Sequence, residues 1–393
     1  MPDDAPVMKA VSKVVTDSIL HNLYSPRKPP RSVLERHRDL RHPAHPVRIA
    51  ILTTSYPSRE DDPCGHFVRA SALDLSSQGH EVHVIAPSSA VPSLPMDPGI
   101  VLRPVPHAGV FGWPGAATRL RHFPWRAPGA LAFAWFAART LQDLRPDRVV
   151  AHWLVPSAFP IACRLPGNAS LHCVAHGADV RLLLASPAAV REHVVSSILS
   201  RSTRVQFVAT ALLHTLRAAL SPELRSRLDA ISFVRPCPVR IPDVSLRASE
   251  LKREFQSQRL ITAVGRLVPS KRIDLAIEAA NLLGARTRLQ VIGDGPDQDR
   301  LRSLDCLGNV GFAGRLDRRE TLAWVAASAA VIHASGVEAA PTVVREARLL
   351  DVPVVACDAG DVSLWARQDA GIHLVSACGA SIARVVGRLV GGG

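Results

Sequence analysis

From residue 47 onward, short β-rich runs alternate with stretches of helical periodicity. Strands separated by helical patterns are typical of parallel sheets built from βαβ units. A polar segment at about 240–258 interrupts this alternation, so the sequence predicts an α/β chain with two doubly wound, Rossmann-like parallel-sheet domains. The predicted strands are 47–54, 81–86, 100–105, 148–152, 171–175, 204–209 and 231–235 in the first domain, and 260–264, 288–292, 309–312, 330–333, 353–357 and 372–375 in the second.

The chain length and these runs set the predicted domain limits. A chain of 393 residues corresponds to two or three domains of about 150 residues each. We expect an N-terminal extension at 1–46, a first domain at 47–245 and a second domain at 246–393. Within the extension, apolar residues at helical spacing predict an amphipathic helix at 7–23, and a basic linker follows. That helix either packs on the body of the protein or lies at a membrane interface.

Composition excludes several classes of protein. Seven widely spaced cysteines without a Cys-x-x-Cys pair argue against a disulfide framework or a zinc site and favour a reducing compartment. The sequence shows neither a long uncharged apolar run nor the pattern of a secretion signal, so we expect a cytoplasmic protein. A net charge of +13 calls for an anionic partner. The motifs of nucleic-acid-binding domains are missing, so we do not expect nucleic acid.

Residues 98–142 suggest a membrane as the anionic partner. The region contains five arginines and no acidic residue, together with several Phe and Trp residues. Cations attract anionic lipid, and aromatic rings settle at the headgroup boundary. We expect the loop at 111–128 to face a membrane. For the helix predicted at 131–141 two interpretations stay open, a membrane-facing surface or a core helix that buries Phe133, Trp135 and Phe136.

A pair of glutamates in the second domain is the main candidate for a functional site. Pro341 suits the first position of a helix, which leaves Glu338 in the preceding loop. Val343, Ala347 and Leu350 then form an apolar stripe, and Glu346 lies beside it. The two carboxylates would flank a helix N-terminus, where unpaired N–H groups can hold an anion. Alternatively, both are solvated glutamates on a surface helix.

Three further segments of the second domain each follow a predicted strand. Residues 264–274 form a loop with the basic residues Arg266 and Lys271, which suit a diphosphate. The strand at 288–292 ends in a turn with Gly293 and Gly295, where backbone can approach a ligand closely. Residues 309–316 repeat the plan of a strand followed by glycine and contain Arg315.

In this order, the segments closely resemble the C-terminal domain of the family 4 glycosyltransferases, which are retaining GT-B enzymes that use nucleotide sugars. The first domain resembles the same family, and the resemblance covers roughly residues 47–376. The segments that carry it there are Arg48–Pro57, Gly65–Arg69, Gly79–Pro87, Ala151–Trp153 and His176–Val180. The resemblance implies two facing domains whose loops surround one cleft.

The resemblance also implies roles for individual residues of the second domain. Arg266 and Lys271 would contact the donor diphosphate, helped by the helix N-terminus at Pro341, Thr342 and Val343. Glu346 would hold the ribose hydroxyls and Glu338 would face the transferred sugar. The turn glycines Gly293 and Gly295 would approach the donor, and residues 312–316, with Arg315, would line the base pocket.

In the first domain, the resemblance assigns His176 and Asp179 to the sugar and phosphates, and Gly65 to a close approach to donor or acceptor. The family uses no metal there, and we expect no cofactor apart from the nucleotide-sugar substrate. Acidic residues at 297 and 299 fall where a helix should begin, which favours the helix dipole rather than a metal.

Two departures from the family pattern bear on activity. Ala339 and Ala340 replace the usual glycine and bulky apolar residue, and we expect the second domain to be shortened after Glu346. We expect a retaining glycosyltransferase acting on a lipid-linked or polysaccharide acceptor at the inner membrane surface. A catalytically weak nucleotide-sugar-binding partner subunit is the alternative, and a GT-B epimerase is a third interpretation.

Overall fold

The fold is given by a computed structural model that describes residues 46–88, 97–112, 115–164, 167 and 169–391. The predicted helix and linker of the N-terminal extension lie outside these residues, as does Trp113. The described chain divides into two compact units between Arg240 and Ile241. The predicted boundary was 245/246.

The first unit contains a seven-stranded sheet in which every neighbouring pair is parallel, with strand order β3-β2-β1-β4-β5-β6-β7. Helices connect most of the strands, as βαβ units require. The strands are β1 (Arg48–Leu52), β2 (Glu81–Pro87), β3 (Ile100–Val105), β4 (Arg148–His152), β5 (Ser170–Ala175), β6 (Ser202–Phe207) and β7 (Ser232–Val234). The helices are α1 (His66–Ser77), α2 (Ala116–His122), α3 (Ala127–Leu144), α4 (Ala178–Ala185), α5 (Ala188–Arg201), α6 (Thr210–Ala218) and α7 (Pro222–Ile231), and an irregular π-helical segment spans Leu154–Ile161.

The second unit repeats the plan with a six-stranded parallel sheet of order β10-β9-β8-β11-β12-β13. Its strands are β8 (Arg259–Val264), β9 (Thr287–Ile292), β10 (Val310–Phe312), β11 (Ala330–His333), β12 (Val354–Cys357) and β13 (Ile372–Val375). Its helices are α8 (Ser245–Glu254), α9 (Ile273–Leu283), α10 (Gln298–Arg302), α11 (Arg318–Ala327), α12 (Thr342–Leu349), α13 (Val362–Ala366) and α14 (Gly379–Gly391).

Both sheets are doubly wound, which confirms the predicted α/β fold class. In each, the first strand of the unit lies in the middle and the chain continues outward on both sides, so the order reverses between β1 and β4 and between β8 and β11. Central strands of such sheets are covered on both faces and are apolar throughout. Ile49, Ile51 and Leu52 of β1 are accordingly fully buried, as are Ile261 and Ala263 of β8. Ligands bind these folds at the point of reversal, beyond the carboxyl ends of the strands.

The basic aromatic region divides into a buried part and an exposed part. Phe133 is fully buried in α3 and packs on Phe111, with ring centroids 4.7 Å apart. Phe111 therefore belongs to the core, contrary to the prediction of an exposed loop. The core interpretation of α3 was right for Phe133 and wrong for two residues, since Trp135 is 64% exposed and Phe136 is 41% exposed.

We call the exposed part the aromatic surface. It consists of Phe123, Trp125, Leu131, Trp135 and Phe136, of which Trp125 and Leu131 are 69% and 75% exposed. In the described part of the chain, none of the helices combines the length and the apolar character needed to cross a bilayer.

Candidate active site

Asp179 organises the loops that follow β4 and β5 in the first unit. Its carboxylate is almost fully buried and accepts hydrogen bonds from the backbone N–H groups of Leu154 (2.7 Å), His176 (3.0 Å), Gly177 (2.8 Å) and Val180 (3.0 Å). Burial raises the pKa of this carboxyl group, and the four N–H donors oppose that effect. The geometry thus makes Asp179 a residue that fixes two loops at the edge of the sheet.

His176 lies directly after β5 among aromatic rings. Its ring centroid is 4.6 Å from that of Trp153 and 5.1 Å from that of Phe67. Its Nε2 lies 3.0 Å from Nδ1 of His152, so one of the two nitrogens carries the shared proton. Desolvation lowers the pKa of His176 to about 3 and also lowers the pKa of His152 well below its usual value. Both imidazoles are therefore neutral near pH 7.

Gly65 closes the loop between β1 and α1. It has a φ of 68°, and a Cβ there would lie 2.6 Å from the carbonyl oxygen of Ser55. A side chain would collide with this backbone, so the sequence needs glycine to fold the loop. The predicted approach of a ligand to Gly65 stays a prediction.

In the second unit, loops from the ends of β8, β9 and β11 are joined by backbone hydrogen bonds. The N–H of Gly265 donates to Ile292 and the N–H of Leu267 donates to Asp294, at 3.0 Å and 2.7 Å. The N–H of Gly336 donates to the carbonyl oxygen of Ser270 at 2.9 Å. These bonds bring the loops that contain Lys271 and Glu338 together at the point where the strand order reverses.

Lys271, Glu338 and His333 form a cluster in this place. The ammonium group of Lys271 donates to Oε1 of Glu338, and Nε2 of His333 lies 3.5 Å from the same oxygen. His333 is the last residue of β11 and is buried, which lowers its pKa to about 4 despite the nearby carboxylate. Lys271 and Glu338 were predicted from the sequence, whereas His333 was not.

Glu346 is buried in α12 and forms an ion pair with Arg318, the first residue of α11. This excludes the interpretation of Glu346 as a solvated surface residue. Arg318 was missed by the sequence analysis. Asp317 caps α11 by accepting from the N–H of Glu320 at 2.8 Å, and this Asp-x-x-Glu pattern was the available signal for the helix start. It does not reveal the partner of Arg318.

The start and the buried face of α12 differ slightly from the prediction. Pro341 is the N-cap residue, and Thr342 rather than Pro341 is the first helical residue. The fully buried apolar residues are Val344 and Ala347, while Val343 is partly buried. The helix is therefore rotated relative to the predicted stripe, which places Glu346 on the buried side.

The remaining predicted residues lie on the same loops. Gly293 and Gly295 follow β9, Arg266 is partly buried after β8, and Arg315 is exposed after β10. Space for a Cβ at Gly293 and Gly295 is taken by the carbonyl groups of Gly265 and Leu267. The immediate reason for these glycines is thus the close approach of two protein loops.

Comparison with known proteins agrees with this geometry. Residues 247–378 match the family model described as "Glycosyl transferases group 1". The chain is a glycosyltransferase with the GT-B fold, and its second unit matches the group 1 family. The resemblance to the family 4 glycosyltransferases that the sequence predicted is thereby confirmed.

Relatives of this glycosyltransferase extend over both units. It is 27% identical over 348 residues to TuaC of Bacillus subtilis (strain 168), a protein assigned to teichuronic acid biosynthesis as a glycosyltransferase, with 81% of this chain and 82% of the relative covered. Among solved structures, it is similar to sucrose-phosphate synthase from Thermosynechococcus elongatus (TM-score 0.67, 17% identity, 87% of this chain and 89% of that chain covered). It is also similar to HepE of Anabaena in complex with UDP (TM-score 0.58, 16% identity, 88% and 90% covered).

Proposed function

We propose that this glycosyltransferase transfers a sugar from a nucleoside-diphosphate sugar to a lipid-linked or polysaccharide acceptor, with retention of anomeric configuration, at the cytoplasmic face of a membrane. The observation that carries the proposal is the meeting of Lys271 and Glu338 at the reversal point of the second sheet. Similar structures add support, since HepE of Anabaena was crystallised with UDP and with UDP-glucose.

Lys271 supports the chemical step through its charge. When the bond between the sugar carbon and the diphosphate breaks, negative charge grows on the departing phosphate oxygen. A cation in a site of low dielectric constant stabilises that charge more than it would in water. The side chain of Lys271 is about three-quarters buried, and the bond of its ammonium group to Glu338 holds it at the carboxyl edge of β8. Arg266, on the same loop, is proposed as a second contact to the diphosphate.

Glu346 and Glu338 are proposed to bind hydroxyl groups. A carboxylate accepts two hydrogen bonds at once, which suits the ribose hydroxyls at Glu346 and the sugar hydroxyls at Glu338. The ion pair with Arg318 orients the carboxylate of Glu346, so Arg318 acts as a positioning residue. On the first unit, we propose that His176 contacts the substrate and that Asp179 positions it through the backbone.

The aromatic surface supports action at a membrane. Its five apolar side chains lie within 123–136. Arg121 and His122, just before this range, are exposed, and Arg126 lies over the ring of Phe123 at 4.6 Å. Tryptophan favours the headgroup region, and arginine is attracted by anionic lipid. A surface of this kind would hold the enzyme near a lipid-linked acceptor.

Donor use can be tested on the purified chain with UDP-, GDP- and ADP-sugars. The true donor should raise the melting temperature, because a ligand that binds only the folded state stabilises it. With that donor, Glu338→Gln should reduce transfer by about 100-fold or more, in line with the loss of one electrostatic contact to the reacting groups. Glu254→Gln, at an exposed glutamate at the end of α8, should leave transfer unchanged. Equal transfer by wild type and Glu338→Gln would refute the role of Glu338.

The alternatives give different results in the same assay. Binding of a donor without turnover would favour the catalytically weak partner subunit, which Ala339 and Ala340 suggest. Conversion of the donor without an acceptor, seen by mass spectrometry, would favour an epimerase. If transfer occurs, the anomeric configuration of the product, read by NMR, tests retention.

Membrane binding is tested separately by co-sedimentation with vesicles that contain anionic phospholipid. Trp135→Ser should lower the bound fraction several-fold, and Leu282→Ser, at a similarly exposed apolar residue of the second unit, should not. Binding that is insensitive to Trp135→Ser would remove the aromatic surface from the proposal.

A further inference from the structure

A second cluster of chemically reactive side chains lies in the first unit. His152 ends β4, His176 follows β5, and Cys237 lies in the loop after β7. One ligand atom from each residue, a nitrogen from each imidazole and Sγ of Cys237, lies within 4.8 Å of the other two. The sequence analysis did not find this group, because the three residues are far apart along the chain and follow no metal-binding spacing.

The surrounding structure holds the three residues in place. Asp179 binds the backbone N–H groups of both Leu154 and His176, so it ties together the loops that carry the two histidines. Cys237 is buried between Pro236 and Pro238, whose rings restrict the backbone on either side. This rigidity is what a metal site needs, since ligands that are already oriented lose little entropy on binding.

His152 supplies a second, independent observation. Its side chain is 1% exposed, and its Nε2 has no hydrogen-bond partner among the described residues. A buried imidazole nitrogen that makes no bond costs free energy, and native proteins rarely leave one unsatisfied without a reason. Coordination of a metal ion by Nε2, after a rotation of the His152 ring that breaks the bond between Nδ1 and His176, would satisfy this nitrogen.

We propose that His152, His176 and Cys237 bind a divalent metal ion of zinc type. Two imidazoles and one thiolate are ligands that Zn²⁺ accepts, and three protein ligands leave a fourth position for water or another ligand. In a tetrahedral zinc site, with bonds of about 2.0 to 2.3 Å, neighbouring ligand atoms lie roughly 3.3 to 3.7 Å apart. Nδ1 of His152 and Nε2 of His176 now share a hydrogen bond of 3.0 Å, so this bond must open before both histidines bind one ion, while the three ligand atoms start within 4.8 Å of one another.

The test is a titration of the full chain with Co²⁺, followed by competition with Zn²⁺. The wild-type protein should bind one equivalent of Co²⁺ and show the near-ultraviolet charge-transfer band of a cobalt–thiolate bond. Cys237→Ser should abolish this band and weaken Zn²⁺ binding by about 10-fold or more, the scale of effect that even outer-shell partners have on metal affinity. Cys173→Ser is the matched control, because Cys173 is also a buried cysteine of the first unit but stands outside the cluster and contacts Ser202 at 3.2 Å.

Each outcome decides the question. A band that is present in wild type and Cys173→Ser but lost in Cys237→Ser supports the site. A wild-type protein without the band, or a band that survives Cys237→Ser, overturns it and leaves a hydrogen-bonded histidine pair beside a packed thiol. Circular dichroism of each variant checks that the fold is intact.

One consequence for regulation rests on the proposed function. If His176 contacts the substrate, metal binding removes it from the reaction, so Zn²⁺ should inhibit transfer in wild type and less so in Cys237→Ser. The Co²⁺ band does not depend on turnover, so failure of the proposed function and failure of the metal site can be told apart.

Discussion

Substitution of Gly293 by alanine tests whether loop packing shapes the donor side of the second unit. Gly293 has a φ of 139°, and a Cβ there would lie 2.8 Å from the carbonyl carbon of Gly265 and closer still to its oxygen. Real Cβ atoms do not approach backbone so closely. The loops after β8 and β9 would therefore have to move apart by about 1 Å, a displacement that packed interiors resist.

The cost can be worked out from the bonds at this place. A residue with a side chain at this φ is strained by about 1–3 kcal/mol. Separation of the loops also weakens the bond from the N–H of Gly265 to Ile292 (3.0 Å) and the bond from the N–H of Gly293 to Gly314 (2.8 Å). At about 1 kcal/mol for each net hydrogen bond, Gly293→Ala should lower the free energy of unfolding by about 3–5 kcal/mol. The corresponding loss in melting temperature is on the order of 10 °C.

Scanning calorimetry of the full chain measures this loss. Gly265→Ala is the matched control, since it lies on the same pair of loops but its Cβ would find only ordinary contact, with Lys271 Cδ at 3.7 Å. We expect this control to stay within about 1 kcal/mol of wild type, as alanine usually does where space and backbone permit. Two variants of equal stability, or a Gly293→Ala protein as stable as wild type, would refute the reasoning.

Three further predictions concern single side chains. Lys271→Met should lower donor-dependent transfer by about 100-fold in a steady-state assay, because the departing diphosphate loses a cation. Lys252→Met, at an exposed lysine of α8, should have no effect. Stability should fall as the pH drops from 6.5 to 4, because the unfolded chain binds a proton that buried His333 does not accept. The free energy of unfolding, measured with urea at pH 6.5 and at pH 4, should decrease by about 3 kcal/mol less in His333→Asn than in wild type. An equal decrease in the two proteins would contradict this role of His333. Asp179→Asn should lower the free energy of unfolding, measured by urea denaturation, by about 2–4 kcal/mol, because the amide NH₂ group is a donor and cannot accept from backbone N–H groups as the carboxylate oxygen does. A variant as stable as wild type would show that the hydrogen bonds to the carboxylate contribute little to stability.

The strands could be predicted because a buried strand has an apolar local composition. Each of the thirteen predicted runs overlaps a strand of the structure, with ends that differ by two residues at most. Central parallel strands are covered on both faces, so they read as continuous apolar runs such as Ile49–Leu52 and Leu260–Ala263. Strand order follows from the connectivity rules of doubly wound sheets, which leave few alternatives once the βαβ units are known.

Helix α3 shows where local patterns fail. Apolar residues occur around much of its circumference, so periodicity did not indicate which side would meet the sheet. Packing against Phe111 selected the side with Phe133, Ala137 and Leu141, and left Leu131 and Trp135 outside. Which face is buried depends on the neighbouring elements, and that information is not local.

The ion-pair partners of the candidate site residues could not all be predicted, for the same reason. Lys271 and Glu338 could be proposed together because the resemblance to the glycosyltransferase family assigns both to the donor, and the strands that they follow, β8 and β11, are adjacent in the sheet. The partner of Glu346, by contrast, is Arg318, 28 residues earlier at the start of another helix. Nothing in the residues around Arg318 distinguishes it from its exposed neighbour Arg319.

The bonding of Asp179 has a consequence for how this enzyme can diverge. The four hydrogen bonds described for its carboxylate all come from main-chain N–H groups, and every amino acid except proline offers the same donor. The shape of these two loops is thus independent of most side chains that they carry. Substitutions at exposed positions of the loops can change what they recognise while their framework is inherited intact.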